Sequence, residues 1–274
     1  MKRTLEETLI AILQAGSLEK PDLIRNVSNA TKTTPQAVYK ALRSLKDKEI
    51  IIMQRKRVSL SLVWLDDQFN ISKQALEKYT IQARTKTFLG LSSGRSATFK
   101  FRTLRELDIF WVHAFLLTES QVPSEIPMYV IIPHDWFSYV RPSTDRVWAR
   151  RLKGGRNEGI IVTHTLPFDK QVSQKRTAKE LEFMFNQNPL GLDERKYINI
   201  IGPWVFQATL DTKGNEMLVH WIKEHPRTIE GDRSQLDLLC DLPGKYQLKV
   251  TNSLKLAEKF VKKIRKYFTF TLAR

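Results

Sequence analysis

Two groups of residues in this chain have side chains and spacings that could do chemistry. The first is Thr34, Gln36, Tyr39, Lys40 and Arg43, followed a little further on by the unbroken basic run Arg55-Lys56-Arg57. A glutamine amide both donates and accepts, so Gln36 can pair bidentately with adenine, while Lys40 or Arg43 can reach guanine or a phosphate. Three consecutive cations add phosphate affinity and salt dependence but little sequence reading. The second group is Asp108, Trp111 and His113, with the later His134, Asp135 and Trp136. Each cluster sets a histidine and an aspartate beside tryptophan, and together they are a candidate ligand pocket. Arg141 and Arg146 nearby would bias it toward a small anionic or sugar-like effector. The alternatives are packed, hydrogen-bonded core, or a metal or nuclease centre, which spacing alone supports weakly. No catalytic residue, metal ligand or cofactor is assigned.

Composition narrows the partners. Among 274 residues, 45 Lys and Arg face 29 Asp and Glu, a formal charge of +16. With a sequence pI near 9.9, that excess suggests a polyanionic partner: nucleic acid is the first candidate, with double-stranded DNA the partner expected, and a basic protein without a nucleic-acid role is the alternative. The single cysteine, Cys240, excludes an intramolecular disulfide and a cysteine-based zinc cluster. No apolar run approaches the roughly 18 residues of a membrane span. Acids follow the first basic residues, Lys2-Arg3-Thr4-Leu5-Glu6-Glu7, where a secretory signal would turn apolar. The expectation is a cytoplasmic protein without a membrane partner.

The elements that must position the first group can be read in order. Leu5, Leu9, Ile12 and Leu13 recur at helical spacing before Gly16. Pro21 and Asp22 open a second helix striped by Leu23, Ile24, Val27 and Ala30. Thr34 is a natural N-cap, because its hydroxyl can accept an orphan amide of the first turn, and Pro35 suits the first helical position. Val38, Leu42 and Leu45 then face one way, leaving Gln36, Tyr39, Lys40, Arg43 and Ser44 on other faces. The β-rich runs Ile50–Met53 and Val58–Leu62 flank the turn Gln54-Arg55-Lys56-Arg57 and predict a hairpin. Three helices and a hairpin with a basic tip are the order of a winged helix-turn-helix, whose third helix enters the major groove.

The stretch Thr33-Thr34-Pro35-Gln36-Ala37-Val38-Tyr39-Lys40-Ala41-Leu42-Arg43-Ser44-Leu45-Lys46, continued by Glu49-Ile50-Ile51-Ile52, resembles the recognition helix and wing of bacterial and archaeal winged-helix transcriptional regulators. The resemblance covers about a quarter of the chain. It implies a regulator of transcription that contacts DNA through Thr34, Gln36, Tyr39, Lys40, Arg43, Arg55, Lys56 and Arg57.

Beyond it, residues 66–86 predict a connecting helix with Ala75, Leu76 and Tyr79 at helical offsets. In such regulators this helix often helps form a homodimer. The organisation expected is residues 1–65, the DNA-binding domain; 66–86, the connector; and 87–274, an α/β domain for effector binding or assembly. Phe88–Leu91 and Ala97–Phe101 around Ser92–Arg95 suggest a hairpin. Thr103 to Glu106 has the spacing of a capping box and opens a helix through Phe115. Strands follow at 128–132, 159–163, 197–201, 205–210 and 246–250. Helices are expected at 143–153, 173–186, 217–223 and 254–267, with a turn at Asp211–Gly214. Strands alternating with helices indicate a mixed α/β domain with a partly parallel sheet.

No Gly-rich phosphate loop is present; Lys153-Gly154-Gly155-Arg156 is not one. The overall arrangement is similar to TrmB-type regulators, in which a winged helix precedes a ligand-sensing domain related to phospholipase D. The His-x-Lys signature of active phospholipase D enzymes is missing at His113, His134, His164, His220 and His225, so such a domain would be catalytically silent.

Two further basic runs could extend a phosphate-binding surface or be ordinary solvated faces. They are Arg141, Arg146, Arg150, Arg151, Lys153 and Arg156, and the late Lys255, Lys259, Lys262, Lys263, Arg265 and Lys266. Three functions compete: a dimeric DNA-binding transcriptional regulator, a nuclease-like enzyme to which the winged helix delivers substrate, and an antitoxin-like protein-interaction module.

Overall fold

The computed structural model describes residues 4–86, 88–140, 155–176, 179–227 and 233–270. The chain divides into two compact units, Met1–Ile81 and Gln82–Arg274.

In the first unit, helix α1 (Leu5–Leu13) starts where Thr4 and Glu7 form a capping box. Strand β1 (Leu18–Glu19) leads into α2 (Lys20–Thr31), with proline in its first turn and a left-handed Lys32 closing it. Helix α3 (Pro35–Asp47) is capped as its sequence requires, Thr34 accepting from Ala37 N at 3.3 Å. Strands β2 (Ile51–Gln54) and β3 (Arg57–Leu60) complete an antiparallel sheet of order β1-β3-β2. Leu9, Leu13, Leu23, Val27, Val38, Leu42 and Leu45 bury the inner helix faces against Ile51, Val58 and Leu60. Polar ties reinforce this core: Glu6 accepts from the Ser44 hydroxyl at 2.7 Å and from Lys48 Nζ at 2.9 Å. The Lys48 and Ser44 hydrogen bonds hold the Glu6 carboxyl below its ordinary range. Ser44 therefore faces α1. The long helix α4 (Leu62–Lys86) follows.

The second unit is built on a seven-stranded mixed sheet of order β4-β10-β9-β8-β5-β6-β7. Its strands are β4 (Ser96–Thr103), β5 (Met128–Ile132), β6 (Glu158–Val162), β7 (Leu181–Phe185), β8 (Lys196–Ile201), β9 (Trp204–Thr209) and β10 (Pro243–Asn252). Strands β5, β6 and β7 pair in parallel and the remainder antiparallel, so the mixed, partly parallel α/β architecture expected from the sequence is present.

Alternation along the strands decides what covers each face. Val130, Ile132, Ile160 and Val162 point into one cluster with α5 (Leu104–Glu119), α6 (Trp136–Val140), α7 (Pro167–Lys175), α8 (Thr212–Glu224) and α9 (Arg233–Leu239). Tyr129, Ile131, Ile161, Ile198 and Ile200 point the other way, beneath Ala257 and Ile264 of α10 (Leu254–Ile264).

Four local expectations are corrected. Phe88–Gly90 is a 3-10 turn, and β4 pairs with β10 near the other end of the chain, so Ser92–Arg95 does not close a hairpin. The span 173–186 is not one helix: α7 ends at Lys175, and Leu181–Phe185 becomes β7 because β6 offers it a full parallel ladder. Asp211–Gly214 is the start of α8 instead of a free turn, with the Asp211 carboxylate accepting from Lys213 N at 3.1 Å and Gly214 N at 3.3 Å. Lys245 N also donates to Asp211, the largest of the interactions that lower its carboxyl pKa.

Arg156 also leaves the basic surface run to which the sequence assigned it. It is 5 % exposed and donates to the carbonyls of Val122, Pro123 and Ile126 at 2.6–2.9 Å, and to Glu119 Oε1 at 3.3 Å. The other members of that run, with Arg146 and the helix expected at 143–153, lie outside the described residues.

Candidate nucleic-acid interface

The alternation that buries Val38, Ala41, Leu42 and Leu45 leaves Gln36, Tyr39, Lys40 and Arg43 exposed along the outer side of α3, with Thr34 at its start. Tyr39 is 42 % exposed, and its ring lies 5.0 Å from the Lys20 ammonium. Lys20 begins α2, and its backbone N donates to Lys56 O at 2.7 Å. One residue thus ties the α2 start, the α3 surface and the β2–β3 tip together. Sequence reading missed Lys20; its position directly before Pro21, at a helix start, was the available signal.

The tip itself is Arg55-Lys56, joining Gln54 to Arg57 across a two-residue turn. Arg55 adopts φ 54°, left-handed backbone that a non-glycine residue accepts only at a cost. Arg55, Lys56 and Arg57 are all exposed. Their environments differ. Arg57 donates to Ser17 O at 3.3 Å, bracing the loop before β1, whereas Arg55 and Lys56 make up the turn itself. Eight residues from two sequence segments, with Lys20, therefore form an exposed polar surface on one small unit. Its chemistry suits recognition of base edges by α3 and of phosphates by the tip.

The second group is dispersed. His113 is exposed on α5, while Trp111, two positions earlier and therefore about 200° around a helix with 3.6 residues per turn, is buried. Asp108 is buried near Cys240, whose thiol is pushed up to about 12, chiefly by burial and then by the Asp108 charge.

His134, Asp135 and Trp136 are 2 %, 0 % and 1 % exposed, directly after β5. His134 Nδ1 lies 2.9 Å from Asp169 Oδ2, and Asp135 N donates to Asp169 Oδ1 at 2.8 Å. Trp136 Nε1 donates to Tyr197 Oη at 3.1 Å, deep enough that burial drives the phenol far above its ordinary pKa. Trp111 packs edge-on against the same Tyr197 ring at 6.0 Å.

The structure thus brings Trp111 and Trp136 together through Tyr197, but it sends His113 to the surface and gives His134 and Asp135 internal partners. Two of those partners, Asp169 and Arg176, were not singled out from sequence. Arg176 Nη1 lies 3.2 Å from Asp135 and Nη2 3.8 Å from Glu158, with all three side chains at most 6 % exposed. Among the described residues, no group of three or more His, Cys, Asp or Glu side chains is placed to hold a metal ion, and no helix is long and apolar enough to cross a membrane.

No protein-family model matches the sequence, and no curated protein matches it at a significant level. Among solved structures, the chain is similar to TrmBL2, an archaeal chromatin protein whose structure is described as showing a novel mode of DNA binding. The TM-score is 0.36 and the identity 14 %, over 97 % of this chain and 92 % of that one.

Proposed function

We propose that this protein is a DNA-binding transcriptional regulator, not an enzyme, and that its first unit is a winged helix-turn-helix. One observation carries the reading: Gln36, Tyr39, Lys40 and Arg43 stand exposed on α3 while the opposite side of that helix is fully packed, with the basic tip held to the same unit through Lys20. In this reading α3 enters the major groove and Gln36 reads a base. Arg55 and Lys56 grip phosphates from the wing, and Arg57 braces the wing as well as adding charge.

The protein acts as a homodimer through α4. Leu62, Leu65 and Phe69 are 77 %, 40 % and 65 % exposed, at the three-then-four spacing of a coiled-coil seam. Isolated exposed apolar residues are common, whereas three at this spacing on one helix favour a partner helix. The C-terminal unit serves ligand sensing or assembly. The His134–Asp135–Trp136 cluster braces it internally, so a small anionic or sugar-like effector would bind elsewhere on that unit.

Selection of bound duplexes from a random pool tests the assignment of α3. Wild type is expected to enrich a two-fold symmetric motif, with half-sites about one helical turn apart. Gln36→Ala is expected to relax preference at one base position per half-site, with a cost of about 1–3 kcal/mol on the preferred base. An unchanged motif would remove Gln36 from the reading surface; no motif at all would remove the regulator.

A further inference from the structure

The four adjacent strands β4, β10, β9 and β8 contain no acidic residue, yet carry Lys100, Arg102, Lys245, Lys249 and Lys196. Register sorts their side chains. Lys249 lies opposite Thr98 on one side and Gln207 on the other, and Gln207 lies opposite Ile198. The next row runs Lys100, Gln247, Thr209, Lys196. Directly opposed residues share a face. Lys249 and Lys100 therefore lie on the face of Ile198, which is the face α10 covers further along the sheet. On β4 and β10 that face is open: Thr98, Lys100, Arg102, Gln247 and Lys249 are exposed, while Tyr246, Leu248 and Val250 are buried on the other side.

Helix α10 starts directly after β10 and adds exposed Lys255, Lys259, Lys262 and Lys263, with Arg265 and Lys266 just beyond it; Glu258 is the one acid in this run. Strand and helix thus place cations of one sign on one side of the sheet. Lys196 and Lys245 have acidic neighbours in Asp193 and Asp211. Lys100, Arg102 and Lys249 have none on the strands beside them.

We infer that this open sheet face is a second contact surface for the sugar–phosphate backbone of duplex DNA. The inference rests on the DNA-binding reading of the chain but on different residues. Charge complementarity selects the partner: a patch of lysine and arginine interspersed with threonine and glutamine hydroxyls and amides matches phosphate oxygens. The absence of an aromatic side chain among the exposed positions of β4 and β10 argues against unpaired bases, which such surfaces hold by stacking. Lys100 and Arg102, two positions apart on a strand, stand about 6.8 Å from each other and can serve separate phosphates. Charged residues on an edge strand also block edge-to-edge aggregation, which accounts for β4 alone. It leaves Lys249 unexplained, because β10 is paired on both sides.

The test measures affinity of the full chain for a random-sequence duplex across a range of salt. It compares wild type, Lys100→Thr/Lys249→Thr, Lys100→Arg/Lys249→Arg and Arg55→Gly/Lys56→Ala. Threonine keeps strand propensity at both sites, and a thermal melt matching wild type confirms folding. The threonine pair is expected to flatten the slope of log K against log salt by about 1.8, from about 0.9 per phosphate contact. The arginine pair should retain the wild-type slope. If the threonine pair flattens the slope while the wing variant does not, this surface stands and the winged-helix reading fails. An unflattened slope for the threonine pair overturns the inference whatever the wing variant does, as does its aggregation at unchanged affinity. Equally tight binding of single-stranded RNA overturns the choice of duplex DNA.

Discussion

Arg176→Met is expected to destabilise the C-terminal unit by about 3–5 kcal/mol, the usual cost of removing one partner from a buried ion pair. Asp135 and Glu158 are sealed beneath the sheet's helical layer at 1 % and 2 % side-chain exposure, and Arg176 lies within 3.8 Å of both. Methionine approximates the length of the arginine stem and keeps apolar contact with Phe183, whose ring lies 5.6 Å from the guanidinium carbon. Loss of packing is therefore small, and the effect is electrostatic. Among the described residues, Asp135 Oδ1 has no hydrogen-bond partner.

One readout separates this cause from a general packing defect. Asp135→Asn in the Arg176→Met background should recover part of the loss, since it removes one of the two opposed carboxylates. Chemical denaturation of wild type and both variants measures it. A loss below about 1 kcal/mol would place the pair among weak surface bridges.

The second large effect concerns assembly. Leu65→Lys/Phe69→Lys is expected to convert a dimer to a monomer in sedimentation while leaving the N-terminal core intact, because Leu65 and Phe69 are exposed and lie outside that core. A dimer binds two half-sites with the second contact made intramolecular, so monomerisation should weaken binding to a two-site duplex on the order of 10²–10⁴-fold. Binding to a single half-site should change little. A variant that sediments as wild type would remove α4 as the seam.

What the sequence made legible follows the range of the forces involved. Helix α3 could be placed from Thr34 and Pro35 because a cap and a fixed φ act within one turn. The hairpin was legible because its turn and both strands are contiguous. Strand β1 was not: two residues carry no periodicity, and Leu18–Glu19 is a strand only because β3 pairs with it.

The same limit explains β7, whose Leu181–Phe185 run is compatible with a helix until β6 provides a ladder. It also explains β4, whose partner β10 lies near the opposite end of the chain. For the candidate sites, sequence spacing identified Gln36, Tyr39, Lys40 and Arg43 of α3 and the tip residues as exposed, because burial of one helix face dictates the other, but Ser44, set with them, faces α1. It misjudged charge in the second unit. A basic run reads as a phosphate-binding or solvated surface, yet Arg156 is buried against backbone carbonyls; His134 and Asp135 read as ligand pocket or packed core, and the partners that favour core, Asp169 and Arg176, are distant in sequence. The outward Thr98, Lys100, Arg102 pattern had the period of a strand and was the overlooked signal of the open basic face.

The structure also sharpens how the wing should be probed. Arg57 holds Ser17, so its removal would mix bracing with DNA contact. Arg55 and Lys56 form the tip alone, and Arg55→Gly removes the side chain where φ is 54° and glycine is unstrained. The measurement that bears most directly on the DNA-binding account is the affinity of the full chain for duplex DNA as salt is varied, in wild type and Arg55→Gly/Lys56→Ala. The account expects tight, steeply salt-dependent binding by wild type, and a slope reduced by about 1.8 in the variant. Identical affinity and slope in the two proteins, or no measurable binding by wild type at low salt, would contradict it.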